Sequence, residues 1–588
     1  MSTSAEQFVS TEFDYIIAGG GTAGLVLAAR LSEDPSVVVG VIEAGDWDPK
    51  VDAINVPGLC GTILGNPKYD WAFIRIMATD PTSLTSGKAL GGSSMLNLLG
   101  INRASAREYD AFETLGNPGW NWNELLKYMK KSEKTLPVPV EDSSKYGLVT
   151  PDPQFHGDSG PIVKGYPTWF NPLHLQFLET LEKLGVPKNP ESDNGNNLGG
   201  VTTFVTVDSS SALRSYSANA YYEPNAGRKN LVILTNSTVT KINFRSGSSP
   251  LQAVGVELMN GSQRYNATAR KEVILAAGAF QTPQILELSG IGNKDILSKH
   301  GIDTLVNLPS DHVYVYSIHE IDPTYETIDD IVEPEVLARQ QELYKSRLGY
   351  LSTALASLFG FLPAKSFASP EQLSQWKEQA LATAEKAPAG LRKQLELQIE
   401  WFLNPESVEA ELLPFPGFFR GSPLKPEPGA RYSSMVSSLM HPLSRGSVHI
   451  ASADPTAPPA IDPNYFSNPL DLEMLLAILK FTLDKVYKTS PFSDPVRKQV
   501  SPSPEECASD ETLKEYIKNN CGCVYHPLGS ASMLPREDGG VVDPQLKVYG
   551  TANVRVVDAS VIPMQLSAHT QATVYAIAEK AADIIKGL

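Results

Sequence analysis

Three glycines after an apolar run form a clear nucleotide-binding pattern. Gly19, Gly21 and Gly24 satisfy G-x-G-x-x-G, and they lie between the apolar run 13–18 and the helix-favouring stretch 22–31. In this arrangement the glycines let the backbone turn sharply and approach a pyrophosphate, while the helix N-terminus offers free N–H groups. The pattern therefore predicts a dinucleotide-binding turn.

An acidic residue follows the next predicted strand. Residues 37–42 form a short, β-branched apolar run, and Glu43 comes directly after it. In dinucleotide-binding units an acid at this place, about 20 residues past the glycines, hydrogen-bonds the ribose hydroxyls. The two strands and the helix between them therefore predict a βαβ unit that binds a dinucleotide.

Two further glycine-containing stretches are patterned. Residues 87–97 read Gly-Lys-Ala-Leu-Gly-Gly-Ser-Ser-Met-Leu-Asn, too far along the chain to belong to the first turn, and they predict a second backbone approach to a ligand. The other stretch is a predicted strand over 272–277 that leads to a helix over 284–289. Thr282 as cap and Pro283 as first helical residue would start that helix.

The composition is that of a folded protein with an acidic surface. Of 588 residues, 42% are hydrophobic and 20% are charged, which is ordinary for globular chains. The length predicts two or three domains. Lys and Arg number 49 against 66 Asp and Glu, and the net charge of -17 repels phosphate backbones and anionic lipid. We therefore expect neither nucleic acid nor membrane as a partner.

Targeting and metal-binding signals are weak. No apolar run approaches the roughly 18 residues that cross a bilayer, and residues 1–12 lack the regions of a secretory signal. Four cysteines are few for this length and are typical of a reducing compartment, so a cytoplasmic location is expected. Cys521 and Cys523 have no second ligand pair at zinc spacing, so no metal site is predicted.

Four blocks, in order along the chain, resemble signatures of the glucose-methanol-choline (GMC) oxidoreductases. They are the N-terminal βαβ unit, the glycine segment 87–97, the segment 278–292 and a C-terminal block. That block reads Tyr-His-Pro-Leu-Gly-Ser at 525–530, Val-Val-Asp-Ala-Ser at 556–560 and Ser-Ala-His-Thr at 567–570. The resemblance covers nearly the whole chain. It implies an FAD-dependent oxidase or dehydrogenase that acts on CH–OH donors.

The resemblance implies an α/β fold with two interleaved domains. A Rossmann-like FAD-binding domain is expected from residues 1–310 and 535–588. Residues 311–534 are expected to form an α+β substrate-binding or cap domain built on an antiparallel sheet. The sequence pattern agrees, because residues 322–414 contain amphipathic helical stretches and a proline-rich break follows them.

Residue by residue, the resemblance implies the groups that contact FAD. They are Gly19, Gly21, Thr22, Ala23, Gly24, Glu43, Ser93, Asn97, Leu98, Gly100, Val239, Asp558, Ala559 and Thr570. The contacts at Leu98, Gly100 and Val239 would be through backbone. Thr570 lies near the start of the last predicted helix, 573–586, where a helix N-terminus stabilises the negative charge of a reduced flavin. Members that attach FAD covalently have a His just before the signature Asn97. This chain has Leu96 there, so non-covalent FAD is expected.

Two histidines match positions that face the flavin in family members similar to glucose oxidase and aryl-alcohol oxidase. They are His526 and His569. Oxidation of an alcohol by hydride transfer leaves a hydroxyl proton to remove, and imidazole, with an unperturbed pKa of about 6.5, is suited to accept it. We expect His526 to be the main base and His569 to hold the alkoxide and assist. Activity should then fall as pH drops through the histidine range.

Two departures from the family pattern concern the substrate and the flavin. Leu98 stands where aryl-alcohol oxidase has a gating Tyr, and Ile101 stands where an aromatic residue or Ala is usual, so substrate identity is not inherited. The family's Gly-Val-Gly-x-Asn-Leu stretch is missing between Pro309 and Asp311. Because that stretch crosses near the flavin, its loss predicts weaker flavin retention.

The sequence leaves substrate, electron acceptor and two other functions open. The favoured function is oxidation of a primary alcohol (aryl, aliphatic or sugar-like) to an aldehyde, with O2, a quinone or another protein as acceptor. An NAD-dependent dehydrogenase would explain the first βαβ unit but not the second glycine segment. A flavin-binding protein with impaired catalysis would explain every motif if the shortened segment had disrupted the site.

Overall fold

Two seven-stranded sheets and eleven longer helices form the framework of the part of the chain that the structure describes. The computed structural model describes residues 3–74, 83–138, 143–292, 296 and 311–588. The sheet strands are β1 (Glu12–Ala18), β2 (Val39–Ile42), β3 (Gly199–Thr202), β4 (Leu231–Leu234), β5 (Ser237–Phe244), β6 (Ala253–Asn260), β7 (Gln263–Leu275), β8 (Val313–Ile321), β9 (Leu358–Leu362), β10 (Ala410–Phe415), β11 (Arg431–Leu439), β12 (Val496–Ser501), β13 (Gly522–Cys523) and β14 (Val554–Val556). The longer helices within these ranges are α1 (Thr22–Leu31), α2 (Ala106–Thr114), α3 (Trp122–Ser132), α4 (His174–Lys183), α5 (Gly278–Leu288), α6 (Pro334–Lys345), α7 (Pro370–Lys386), α8 (Ala389–Leu403), α9 (Pro469–Asp484), α10 (Asp510–Asn520) and α11 (Gln571–Lys586).

Short elements connect these. Three helices of four or five residues are Ala5–Val9, Asp52–Asn55 and Ser93–Leu96. Five two-stranded pairs are Phe73–Ile74 with Ser83–Leu84, Gly100–Ile101 with Phe204–Val205, Glu133–Thr135 with Ile162–Lys164, Val207–Asp208 with Leu213–Arg214, and Ser447–His449 with Ala460–Asp462. The second of these pairs joins the end of the second glycine segment to the chain that precedes β4.

The first sheet has the parallel core that the βαβ pattern predicts. Its order is β4-β2-β1-β7, with β14 beside the end of β7, and all of these neighbours are parallel. β6 and β5 extend the sheet with antiparallel pairing. α1 connects β1 to β2, and α11 packs against both α1 and α3. The expected Rossmann-like architecture is confirmed.

The second sheet is antiparallel, as expected for the substrate domain. Its order is β12-β8-β11-β10-β9-β3, with β13 beside β8. α9 packs on β11. Ser369 caps α7 as the sequence predicts, and the apolar side chains of Trp376 and Ala380 in that helix are buried in the core of this domain.

The structure departs from two sequence predictions, the domain boundary at residue 310 and the helical character of residues 322–414. β3 pairs with β9, and α4 packs into the core of the second sheet, although both lie within the 1–310 segment assigned to the FAD-binding domain. The 322–414 segment, predicted to be helical, also contains β9, an entirely buried Leu-Phe-Gly-Phe-Leu run. Full burial on both faces removes the alternation that would have identified this strand.

The predicted start of the helix at Pro283 is wrong. α5 begins at Gly278 and continues through Pro283. Proline has no N–H to donate to the carbonyl of Ala279, four residues earlier. The Ser530 hydroxyl donates to that carbonyl at 2.6 Å instead. A hydrogen bond from a distant segment therefore lets the helix accommodate the proline.

The described part of the chain contains neither a membrane-spanning helix nor a cluster of metal-ligating side chains. No helix there has the length and apolar character needed to cross a bilayer. In the same residues no three His, Cys, Asp or Glu side chains form a group suited to hold a metal ion. Cys521 packs in the core of the second sheet, consistent with a structural thiol.

Candidate active site

One cavity of about 740 Å3 brings together most of the residues predicted from the sequence. Fifteen of them line it: Gly19, Gly21, Thr22, Ala23, Glu43, Ser93, Asn97, Leu98, Gly100, Val239, His526, Asp558, Ala559, His569 and Thr570. They come from the first βαβ unit, the second glycine segment, β5 and the C-terminal block. Segments more than 500 residues apart thus meet at one site of the size of a large ligand pocket.

Gly24 is the exception, and its role is packing. A Cβ at Gly24 would lie 1.9 Å from the carbonyl oxygen of Gly19. Gly19 itself has a φ of +104°, and a Cβ there would lie 2.4 Å from the carbonyl oxygen of Ala276. The glycines therefore let α1 pack directly against the turn and let the turn pack against the end of β7.

The two glycine segments contact each other through backbone. The N–H of Gly91 donates to the carbonyl of Gly20 at 2.8 Å. Gly92 has a φ of +50°, and a Cβ at Gly92 would lie 2.7 Å from the Cα of Gly21. The predicted second backbone approach is thus made beside the first turn, at the wall of the same cavity.

Glu43 connects the turn to the end of β2. Its carboxylate accepts from the N–H groups of Gly20 and Gly45, each at 2.8 Å. Burial raises its pKa to about 7, although these backbone bonds oppose the rise. One lone pair of each oxygen is used by backbone, and the second can accept from a ligand hydroxyl. The predicted contact with ribose stays a prediction.

Two helices begin at the cavity without a side-chain cap. The N-cap of α1 is Gly21, which has no side chain, and the side chain of Thr570, the N-cap of α11, accepts no hydrogen bond from its helix. The first N–H groups of both helices are therefore available, and each helix end carries partial positive charge. The two ends suit a ligand with two separated anionic groups, such as a pyrophosphate and a reduced flavin ring.

Asn97 links the second glycine segment to the start of α11. Its side-chain nitrogen donates to Gln571 at 2.7 Å, and its side-chain oxygen accepts from Arg214 at 2.8 Å. Arg214 is buried and also donates to the carbonyl of Ile54. Asp558 likewise accepts from the Thr282 hydroxyl at 2.6 Å. Both predicted cofactor residues thus organise the cavity wall, and their contacts with FAD stay predictions.

The two predicted histidines lie side by side in the cavity. The ring centroids of His526 and His569 are 5.0 Å apart. The backbone N–H of His526 donates to Asp311, and that of His569 donates to the side chain of Asn102. Burial, followed by the proximity of two other histidines, lowers the pKa of His526 well below its ordinary value. His526 is therefore neutral and able to accept a proton near neutral pH.

Each histidine has a side-chain partner that the sequence analysis did not identify. Nε2 of His569 lies 3.1 Å from a carboxylate oxygen of Glu411, on β10. Nδ1 of His526 lies 3.0 Å from Nδ1 of His312, the residue before β8. Neither partner belongs to a glycine-rich or C-terminal motif. Glu411 lies on a strand of the second sheet, and His312 lies at the start of another.

A buried charged network supports the segment that contains His569. The carboxylate of Glu108 accepts from the N–H and hydroxyl of Ser567, two residues before His569, at 2.5 and 2.6 Å. His441 lies between Glu108 and Glu409, at 3.3 and 3.1 Å. Burial opposes a charge on His441, yet the two carboxylates raise its pKa to about 10. This charge-assisted hydrogen-bond network therefore fixes the backbone of the segment that contains His569.

Two positions on which the sequence analysis based its flavin predictions are Leu96 and the shortened segment at 309–311. Leu96 is buried and lines the cavity, and its side chain has no nucleophilic atom. Pro309 and Ser310 of the shortened segment lie outside the described residues. Asp311 is described, and it accepts from the backbone of His526 at 3.1 Å. Burial raises the pKa of Asp311 to about 7.

Two family models match most of the chain. The N- and C-terminal models described as GMC oxidoreductase match residues 13–306 and 442–578. The chain belongs to the GMC oxidoreductase family. Its members are FAD-binding enzymes that act on CH–OH donors, so the family assigns FAD rather than a nicotinamide to this protein. The glycine turn, the two uncapped helix ends and the cavity fit that cofactor.

Individual relatives match along almost the whole chain. Dehydrogenase citC of Monascus ruber is 37% identical, covering 98% of this chain and 97% of the relative. An FAD-dependent oxidoreductase from Chaetomium thermophilum is similar in structure, with a TM-score of 0.88, 29% identity and coverage of 98% and 99%. A fungal aryl-alcohol oxidase has a TM-score of 0.83, 28% identity and coverage of 97% and 98%. The two-sheet architecture of this GMC oxidoreductase is thus shared over its full length.

Proposed function

We propose that this GMC oxidoreductase oxidises a primary alcohol to an aldehyde. The observation that carries the proposal is the pair of histidine rings 5.0 Å apart in the cavity that also contains the glycine turn. Bound FAD supplies the acceptor for the hydride from the carbinol carbon. O2 or another electron acceptor completes the cycle. The direct test is anaerobic reduction of the bound flavin by a primary alcohol, and failure of every primary alcohol would overturn the proposal.

The two histidines have different roles because their partners differ. Among the described residues, the side chain at hydrogen-bond distance from the His526 ring is the neutral imidazole of His312, so His526 stays uncharged and accepts the hydroxyl proton. His569 lies with Nε2 3.1 Å from a carboxylate oxygen of Glu411, and this contact fixes the orientation of the ring that is proposed to hold the alkoxide. A Cβ at Gly100 would lie 3.1 Å from Nδ1 of His569, so that glycine leaves room for this ring.

The cavity lining favours an aryl or aliphatic alcohol over a sugar. Most of its large side chains are apolar or aromatic: Leu59, Trp71, Leu98, Phe280, Tyr314, Leu355, Phe415, Phe419 and Tyr525. Leu98 and Tyr525 are 42% and 40% exposed, so their apolar surface is free to contact a bound molecule. A sugar would lose hydroxyl hydrogen bonds against such walls, whereas an aromatic or alkyl group buries apolar area.

The cofactor is proposed to be held without a covalent bond, because Leu96 offers no atom that can attach to it. Acid precipitation of the purified yellow protein is expected to release all of the flavin into the supernatant as FAD, at one per chain. Mass spectrometry of the supernatant and of the pellet checks this. Flavin that stays with the precipitated protein, or release of a nicotinamide nucleotide instead, would contradict the assignment.

A further inference from the structure

His312 is a fully buried histidine that lies outside the cavity lining and belongs to the Asp-His pair after the shortened segment. It directly precedes β8, and both of its ring nitrogens lie at hydrogen-bond distance from a partner. Nε2 is 2.9 Å from the carbonyl oxygen of Leu566, and Nδ1 is 3.0 Å from Nδ1 of His526. We infer that His312 is a positioning residue that fixes His526 in the tautomer with a bare Nε2, which makes it the proton acceptor. This inference rests on the proposed alcohol oxidation.

The protonation pattern follows from what each partner can do. A carbonyl oxygen only accepts, so Nε2 of His312 must carry the hydrogen that reaches Leu566. Burial, and then the nearby His441, lower the pKa of His312 to about 3, so its ring is neutral. A neutral imidazole has one N–H, so Nδ1 of His312 is an acceptor. The contact at 3.0 Å therefore requires the hydrogen on Nδ1 of His526.

The remaining nitrogen of His526 is then the base. A neutral His526 with its hydrogen on Nδ1 has a lone pair on Nε2. Nε2 makes no hydrogen bond with any residue that the structure describes, and the ring lines the cavity. In the proposed reaction the substrate O–H bond would break as the Nε2–H bond forms, and bound FAD would accept the carbinol hydrogen with its electron pair as hydride. His312 keeps its acceptor role throughout, because both nitrogens of the resulting imidazolium donate.

A neutral histidine beside Nδ1 of His526 affects the pKa of that ring differently from the carboxylate that orients a catalytic histidine in a Ser-His-Asp triad. A carboxylate beside Nδ1 would orient the ring equally well but would favour the charged imidazolium and raise the pKa. His312 orients the ring without that charge. The titratable groups around the two rings are Asp311, His441, His569, Glu108 and Glu411. Glu411 contacts His569 rather than His526, so the carboxylate is assigned to the other histidine of the pair.

The experiment compares three variants with the wild type, all loaded with FAD. His312→Phe removes the acceptor. His312→Gln retains both an acceptor and a donor on one amide. His319→Phe is the matched control, because His319 is also buried, on β8, with its ring stacked on Tyr487 at 3.5 Å and away from the cavity. Each is measured for tautomer by 15N NMR of selectively labelled histidine, for flavin reduction by alcohol, and for thermal stability.

The wild type is expected to show His526 with its hydrogen on Nδ1, and His312→Phe to show a shift toward Nε2–H. Flavin reduction should slow about 10-fold or more in His312→Phe with KM little changed, since a misplaced proton disables a histidine base. His312→Gln should recover most of the rate, and His319→Phe should keep both rate and tautomer. An Nε2–H wild-type His526, or unchanged rates and tautomer in His312→Phe, would overturn the inference. The tautomer is read without substrate, so failure of the proposed alcohol oxidation would be seen separately.

Discussion

Replacing His526 by alanine is expected to slow reduction of the bound flavin by alcohol at least about 10²-fold, the low end for loss of a general base. The flavin spectrum should stay intact, because the proposed role of the ring is to take the substrate proton and not to hold the flavin. His569→Ala should cost a comparable factor. Rapid mixing of each FAD-loaded variant with alcohol in the absence of oxygen measures these rates. The double variant should lose less than the product of the two factors if the rings act as one unit. Rates within a few-fold of wild type in both single variants would contradict this mechanism.

The structure changes the expected pH dependence of the same step. The sequence alone predicted a fall in rate as pH drops through the ordinary histidine range. Burial and neighbouring histidines lower the pKa of His526 well below that range. A base with a lowered pKa stays neutral to lower pH, so the rate should stay level from about pH 8 to about pH 6.5 and fall only below. A fall centred at about pH 6.5 or higher would show that His526 is not the titrating base.

Replacing Gly24 by alanine is expected to abolish flavin binding and to lower the free energy of unfolding by about 3 kcal/mol, a value at the upper end for overpacking. The new Cβ would lie 1.9 Å from the carbonyl oxygen of Gly19, a backbone atom that cannot move without breaking the turn. The flavin-to-protein absorbance ratio and thermal unfolding, with and without added FAD, check this.

Gly227→Ala provides the matched control for Gly24. A Cβ at Gly227 has no heavy atom within 4 Å, and its φ lies outside the left-handed region. The control should therefore retain wild-type flavin content and stability. Wild-type flavin content in Gly24→Ala would mean that α1 can shift away from the turn without loss of the site.

The sequence predicted the elements whose signals are local. The strand, glycine turn and helix from β1 to α1 were placed correctly because glycine positions and apolar runs define them within about 20 residues. The start of α5 was misplaced because the bond that satisfies the carbonyl of Ala279 comes from Ser530, in a distant segment. β9 was missed because a strand buried on both faces has no alternating pattern.

In the candidate site, too, local motifs predicted individual residues but not the contacts that distant segments make with them. His526 and His569 were found because each lies in a recognisable motif. Glu411 and His312 were not assigned as their partners, because strand pairing in the second sheet brings them to the rings. Such partners require the order β8-β11-β10, which no local pattern in these strands encodes. The sequence therefore predicted the reacting side chains better than the groups that set their protonation.

We propose above that an alcohol bound in this cavity gives its carbinol hydrogen to the flavin as hydride while His526 takes the hydroxyl proton. Anaerobic rapid mixing of the FAD-loaded protein with a primary aromatic alcohol tests it most directly, with hydrogen and then deuterium on the carbinol carbon. We expect alcohol-dependent bleaching of the flavin, slower with deuterium because the C–H bond breaks in the measured step. The proposed mechanism would be contradicted if no primary alcohol bleached the flavin, or if a reduced nicotinamide nucleotide alone did so.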